Sequence, residues 1–256
     1  MRVIGSFRVD AEGEEASESR ADRRSANDIV GERGAPAPTA EITKEPALPA
    51  AQRPTILVVC SANVCRSPHI EWILRRELAG SAGLGSISIA SAGTEAVAGS
   101  PICALVQEER REDEGFPAFA ERFRPSPVSA ARVLGAAMVV TASPAHRAAL
   151  ARLAPEARGR TFTLREALWL GRGWTGSPNE RGRLVVEAFA RYADSRRGAV
   201  LPPLERRWPG TGRTASDPYA IRDGHRLGGR AHAATLERVR TDAHALTQLL
   251  RAGRPD

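Results

Sequence analysis

The sequence predicts an α/β fold: one domain with a central four-stranded parallel sheet flanked by helices. Three observations lead there. Apolar runs alternate with amphipathic stretches, the pattern of parallel strands joined by crossover helices. A buried-strand run, Thr55-Ile56-Leu57-Val58-Val59, leads into Cys60, and a helix-like stretch with apolar Ile70, Ile73, Leu74 and Leu78 follows at once. The last stretch carries Ala234, Leu236, Val239, Ala243, Leu246, Leu249 and Leu250 close to helical spacing.

Taken in order, the strand candidates are Thr55–Cys60, Ser86–Ala90, Ala137–Thr141 and Arg160–Leu164. The helix candidates are Pro68–Ala79, Ile102–Asp113, Ser129–Leu134, Pro144–Arg152, Asn179–Ser195 and a closing helix near Ala231–Arg251. From Arg196 to Ser216 the chain reads as a long loop with Pro202-Pro203 and Trp208-Pro209-Gly210, and long loops in compact domains are often functional. In an open parallel sheet a ligand is expected at the carboxyl ends of the strands.

The segment Cys60-Ser61-Ala62-Asn63-Val64-Cys65-Arg66-Ser67 occupies that position. A loop between a strand and a helix can aim its N–H groups at one anion, and the helix terminus adds positive potential. Ser67 is expected as N-cap, and Pro68 suits the first turn, where its missing N–H costs nothing. A free thiol has a pKa of about 8.5, so inward amides, the helix dipole and Arg66 would favour a Cys60 thiolate. Arg66 offers a planar fork for two oxygens of a phosphoryl group. The Ser67 hydroxyl can hydrogen-bond the sulfur, and Ser61, Ala62, Asn63, Val64 and Cys65 line the cradle. Asn63 tolerates left-handed backbone and can lock the loop with its side chain.

Other roles for these residue types are weaker. Structural zinc needs four ligands, and Cys103, the one other cysteine, has no Cys or His companion at short spacing. His69, His146, His225, His232 and His244 are dispersed and read as surface or helix-face residues. The sequence therefore calls for no metal and no cofactor.

Residues 55–71 resemble the active-site segment of the low-molecular-weight protein tyrosine phosphatase family, whose loop usually runs Cys-x-Gly-Asn-x-Cys-Arg-Ser-Pro. Ser91-Ala92-Gly93-Thr94 resembles the family's Ser-Ala-Gly-Thr, and Asp217-Pro218-Tyr219 its late Asp-Pro-Tyr. The likeness spans about residues 54–252. Between them, residues 137–164, with His146-Arg147 and the Thr161–Glu166 stretch, look like members from high-GC bacteria. The resemblance implies hydrolysis of phosphotyrosine-type monoesters through a phosphocysteine. Cys60, Arg66 and Asp217 would be catalytic, and Tyr219 a wall for the substrate ring. Asp217 would protonate the leaving group and then take a proton from water.

There are departures. Ala62 stands where the family has glycine, which would cost roughly 1 kcal/mol if that position needs positive φ. Glu95-Ala96-Val97 and Ala220 replace aromatics of the pocket wall, and Ala118, Phe119 and Ala120 lie where many members have a histidine. The expected partner is a phosphorylated protein or small aryl phosphate. Two other readings stay open. One is thiol-dependent arsenate reduction on the same fold, for which no late cysteine pair follows Cys103. The other is a non-catalytic phosphate-binding module.

Composition bounds the rest. The chain has 256 residues with 42% hydrophobic content, enough for a proper core. Residues 1–53 are rich in Ala, Glu, Arg, Ser and Pro without apolar periodicity, and are expected as a disordered N-terminal extension to a domain at 54–256. Neither a signal peptide nor a membrane span is expected, which suggests a cytoplasmic protein. The net charge of +7 rests almost wholly on arginine, since Lys44 is the single lysine. The arginines are scattered and no stacking platform accompanies them, so nucleic acid is not an expected partner. Positive charge would still steer acidic substrates inward.

Overall fold

The structure is a computed structural model that describes residues 55–200, 217–225 and 227–252. The extension at 1–53 and the linker from 201 to 216 lie outside the described residues.

Four parallel strands make one sheet in the order β2-β1-β3-β4. They are β1 (Ile56–Cys60), β2 (Ile89–Gly93), β3 (Met138–Thr141) and β4 (Thr161–Thr163). Strand β1 is central and buried throughout. Its period-2 alternation sends Ile56 and Val58 into one core, with Phe162, Phe189, Val239 and Leu246. Leu57 and Val59 enter the core on the opposite face, with Val133, Val139 and Leu150. A strand apolar at every position is thus explained by two covered faces.

The helices are α1 (Arg66–Ala79), α2 (Ala104–Arg110), α3 (Phe116–Arg122), α4 (Ala130–Gly135), α5 (Pro144–Leu153), α6 (Leu164–Leu170), α7 (Arg183–Ser195) and α8 (Gly229–Arg251). Helix α8 packs along α1, burying Leu236, Val239, Ala243, Leu246 and Leu250. Ser129 and Ser143 cap α4 and α5, and Thr163 with Glu166 forms a capping box on α6. Helices α3 and α6, seven residues each, are not among the helices expected from the sequence.

Several expected boundaries move, and two of the shifts bear on the loop after β1. Strand β2 runs Ile89–Gly93 rather than Ser86–Ala90. Its last residues are small, which weakens the apolar signal, and the adjoining loop demands that smallness. A Cβ on Gly93 would lie 2.3 Å from the Ser61 carbonyl oxygen and 3.0 Å from the Asn63 nitrogen. Helix α1 starts at Arg66 with Cys65 as N-cap, so Ser67 does not cap it. Pro68 still falls in the first turn, as its chemistry requires.

Candidate active site

The loop from Cys60 to Arg66 leaves the carboxyl end of β1 and turns into α1. Cys60 is 2% exposed, and its Sγ lies 3.0 Å from Ser67 Oγ. The Ser67 hydroxyl is therefore spent on the sulfur rather than on a helix cap. Asn63 holds the turn. At φ 56° it is the one non-glycine residue with positive φ among the described residues, and it is fully buried. Its Nδ2 donates to Ser67 Oγ at 2.9 Å and to Ser91 Oγ at 2.8 Å, while Oδ1 accepts from Ser126 N–H at 3.0 Å. Ala62 is exposed and has no positive φ, so alanine there carries no left-handed penalty.

Ser91-Ala92-Gly93-Thr94 is the backing of this loop. Ser91 meets Asn63, Thr94 N–H donates to Cys60 O at 3.0 Å, and Gly93 leaves the space through which the loop passes. Arg132 ties the same layer together, donating to Ser91 O at 2.9 Å and Ser126 Oγ at 2.6 Å.

Arg66 is 5% exposed. Its Nη1 donates to Ile221 O at 3.2 Å, and its Nη2 to Ser61 Oγ at 3.3 Å and Asp223 Oδ2 at 2.8 Å. Ile221 N–H in turn donates to Ala142 O at 2.8 Å. The segment after Tyr219 is thereby pinned across the carboxyl ends of β1 and β3. Ser61 Oγ also lies 2.9 Å from His146 Nε2, and His146 Nδ1 lies 2.8 Å from Ser143 Oγ. Burial, with the Arg66 charge adding to it, lowers the His146 pKa to about 4, so this ring is neutral near pH 7.

Cys60, Asn63 and Ser67 are thus joined in one hydrogen-bonded set, and Ser61 and Arg66 in a second that reaches Asp223 and His146. Asp217 and Tyr219 make local contacts instead. Asp217 is exposed and its Oδ1 accepts from Tyr219 N–H at 2.8 Å, an Asx turn. Tyr219 and Pro218 line a cavity of about 210 Å³ with Arg165, Leu168, Trp169 and Asp242. Burial raises the Tyr219 pKa.

Asp223 escapes the sequence reading, and His146 and His232 figure in it only as surface or helix-face residues. The histidines are not uniformly surface residues, since His69, His146 and His232 are 0%, 8% and 7% exposed. Burial lowers the His69 pKa to about 3. Cysteines and histidines that are dispersed in the sequence come together in the fold. Cys65, Cys103, His225 and His232 bring one ligand atom each within 4.8 Å of one another. Linear spacing could not show this, because α1, α2 and α8 supply the residues from distant parts of the chain. Cys103 accepts a hydrogen bond from Cys65 and from N–H groups opening α2, which lowers its pKa to about 5. Donation to Cys103 and burial push the Cys65 thiol up.

Comparison with curated proteins finds no match. Among solved structures, Wzb from Vibrio vulnificus in complex with benzylphosphonate is 26% identical, covering 57% of this chain and 96% of its own, with a TM-score of 0.38. A low molecular weight protein tyrosine phosphatase from T. tengcongensis is 26% identical over 55% of this chain and 92% of its own, TM-score 0.39. The arginine phosphatase YwlE from Geobacillus stearothermophilus is 25% identical over 55% and 85%, TM-score 0.38. The family model for low molecular weight phosphotyrosine protein phosphatase matches residues 55–171, which hold the loop, its β2 backing and His146 and end before Asp217. Over those residues the chain is similar to the low molecular weight phosphotyrosine protein phosphatase family.

Proposed function

We propose that this protein is a phosphatase that hydrolyses phosphotyrosine-type monoesters through a phosphocysteine intermediate. One observation carries the reading: a buried thiol 3.0 Å from a serine hydroxyl, at the start of a loop that ends in Arg66 and a helix N-terminus. In the first step Cys60 Sγ attacks phosphorus and the S–P bond forms as the ester P–O bond breaks. Arg66 takes two of the phosphoryl oxygens as charge spreads over them, aided by loop N–H groups. Asp217 gives its proton to the departing phenolate. In the second step water attacks phosphorus, Asp217 recovers a proton, and the Cys60 thiolate leaves with the Ser67 hydroxyl beside it.

Ser61, Ala62, Asn63, Val64, Cys65 and Ser67 form the cradle in this reading, with Tyr219 beside the substrate ring. Non-aromatic residues at 95–97 and 220 favour a wide entrance over a narrow aromatic slot. The described cysteines are free, which suits a reducing compartment such as the cytoplasm. None of the described helices is long and apolar enough to cross a membrane.

The test uses purified full-length protein with an aryl phosphate, quenched in alkali during turnover. Release of phosphate is expected together with a phosphoryl group on the peptide containing Cys60 that survives alkali but is cleaved by iodine, as an S–P bond is and a serine phosphate is not. Negligible ester hydrolysis, with consumption of arsenate in the presence of added thiol, would overturn the reading in favour of an arsenate reductase.

A further inference from the structure

At the end of the loop, around Cys65, four metal-type donors converge whose side chains take no part in the bond-making and bond-breaking above. Cys65 is the N-cap of α1 and Cys103 the N-cap of α2. His232 lies in the first turn of α8, and His225 in the segment leading to it. Cys65 Sγ is 3.1 Å from His232 Nε2, and Cys103 Sγ is 3.3 Å from the same atom. The His225 and His232 rings meet edge to face at 4.9 Å between centroids.

The surroundings make the cluster unusual. Cys65 and Cys103 sit in an apolar group with Trp72, Ile102, Val106, Phe116 and Leu236. That group needs no second thiol or imidazole for packing. We propose that Cys65, Cys103, His225 and His232 form a structural zinc site that clamps the end of the phosphate loop to helices α2 and α8.

The donor set is that of closed, four-coordinate zinc. Zn–S bonds of about 2.3 Å and Zn–N bonds of about 2.0–2.1 Å put tetrahedral donors roughly 3.4–3.8 Å apart. The two sulfur separations to His232 are slightly shorter, and all four donors lie within 4.8 Å of one another, so small side-chain rotations admit the ion. Two thiolates with two imidazoles select zinc over magnesium or calcium. Both cysteines bind as thiolates, any proton they still carry going to solvent, and both histidines bind neutral. Three donors are nearly buried, whereas His225 is exposed and provides the way in. All four coordination positions come from protein, so the ion organises rather than catalyses.

Its position gives it leverage on the active site. Cys65 immediately precedes Arg66, and His225 N–H donates to Asp223 Oδ1 at 3.2 Å. Asp223 is the carboxylate that meets Arg66. Zinc would therefore fix both flanks of the phosphate-gripping arginine. It would also occupy Cys65, withholding that thiol from any disulfide with Cys60.

The test is metal analysis of the full chain purified from zinc-supplemented cells without chelator. About one zinc per chain is expected. After chelation and loading with Co²⁺ alone, thiolate-to-cobalt charge transfer and strong tetrahedral ligand-field bands should appear. His225→Ala, at an exposed position, should weaken zinc by ~10-fold or more against a chromophoric chelator. Cys103→Ala should diminish the charge-transfer band. Metal-free wild type whose cobalt spectrum resembles the aqueous ion overturns the proposal. Wild-type zinc affinity in both variants overturns it too, because the metal would then sit elsewhere. These readouts are independent of phosphatase activity.

Discussion

Asp223 holds Arg66 through a 2.8 Å ion pair in which the arginine is 5% exposed and the carboxylate 37%. Cys60 and Arg66 lie on the two ends of a rigid loop, whereas Asp223 comes from a segment 157 residues later in the chain. An incoming dianion must share the guanidinium with this carboxylate. Asp223→Asn should therefore lower the inhibition constant of inorganic phosphate about two- to five-fold, the range for a part-exposed pair worth up to ~1 kcal/mol. Competitive inhibition at low ionic strength measures it, and unchanged or weaker phosphate binding would contradict the competition.

Cys60→Ser should abolish turnover while phosphate still binds, because the loop amides and Arg66 remain and a serine hydroxyl has no base to ionise it. Arg66→Lys should also lose nearly all activity, since a point charge cannot replace a two-pronged grip. Steady-state assays beside calorimetric phosphate titration separate the two effects. Substantial turnover by either variant would remove that residue from its assigned role.

Asn63 supplies both backbone conformation and side-chain bonds. Asn63→Gly keeps φ 56° accessible but loses three hydrogen bonds, whereas Asn63→Ala loses the bonds and adds left-handed strain. Alanine should be the less stable variant by roughly 1–2 kcal/mol. Urea denaturation of the pair gives the difference directly. Equal stabilities would mean that the loop relaxes out of its left-handed turn.

Asp217→Asn should slow hydrolysis of phenyl phosphate severely and of a nitrophenyl ester much less, since nitrophenolate leaves with little help. The pH–rate profile should keep its acid limb and lose its basic one. If the variant cleaves both esters at wild-type rates, Asp217 is only the Asx-turn residue that its contact with Tyr219 describes.

Acid should destabilise the fold through His146, whose pKa falls from an ordinary 6.5 to about 4. The unfolded chain then binds the extra proton first, so stability is full above about pH 6.5 and declines as pH falls toward 4. Buried His69 acts in the same direction, its pKa falling to about 3. Melting temperature should drop across that window, and His146→Gln should flatten the drop. A variant with the wild-type slope would assign the acid sensitivity to other groups.

Sequence determined what depends on neighbours in the chain. The apolar run through Val59 specifies a central strand, because only a strand covered on both faces can be apolar at every position. Cys60, Arg66 and Ser67 lie within eight residues, so one strand–loop–helix turn suffices to bring them together. Ser91 to Thr94 could be recognised as a motif, yet its purpose emerged only with Gly93 lying against Ser61.

What remained depended on packing between elements far apart in sequence. Nothing in the spacing of Arg66 and Asp223, or of Ser61 and His146, signals that they touch. The same holds for Cys65, Cys103, His225 and His232, which read as isolated residues because no two of them form a short-range ligand pair. They meet because α8 packs along α1 and because Cys103 N–H donates to Val64 O at 2.8 Å, seating α2 against the loop. Local pattern fixes the period and direction of a strand or helix, but side-chain convergence is set by how buried faces close on one another, and that closure is a property of the whole core.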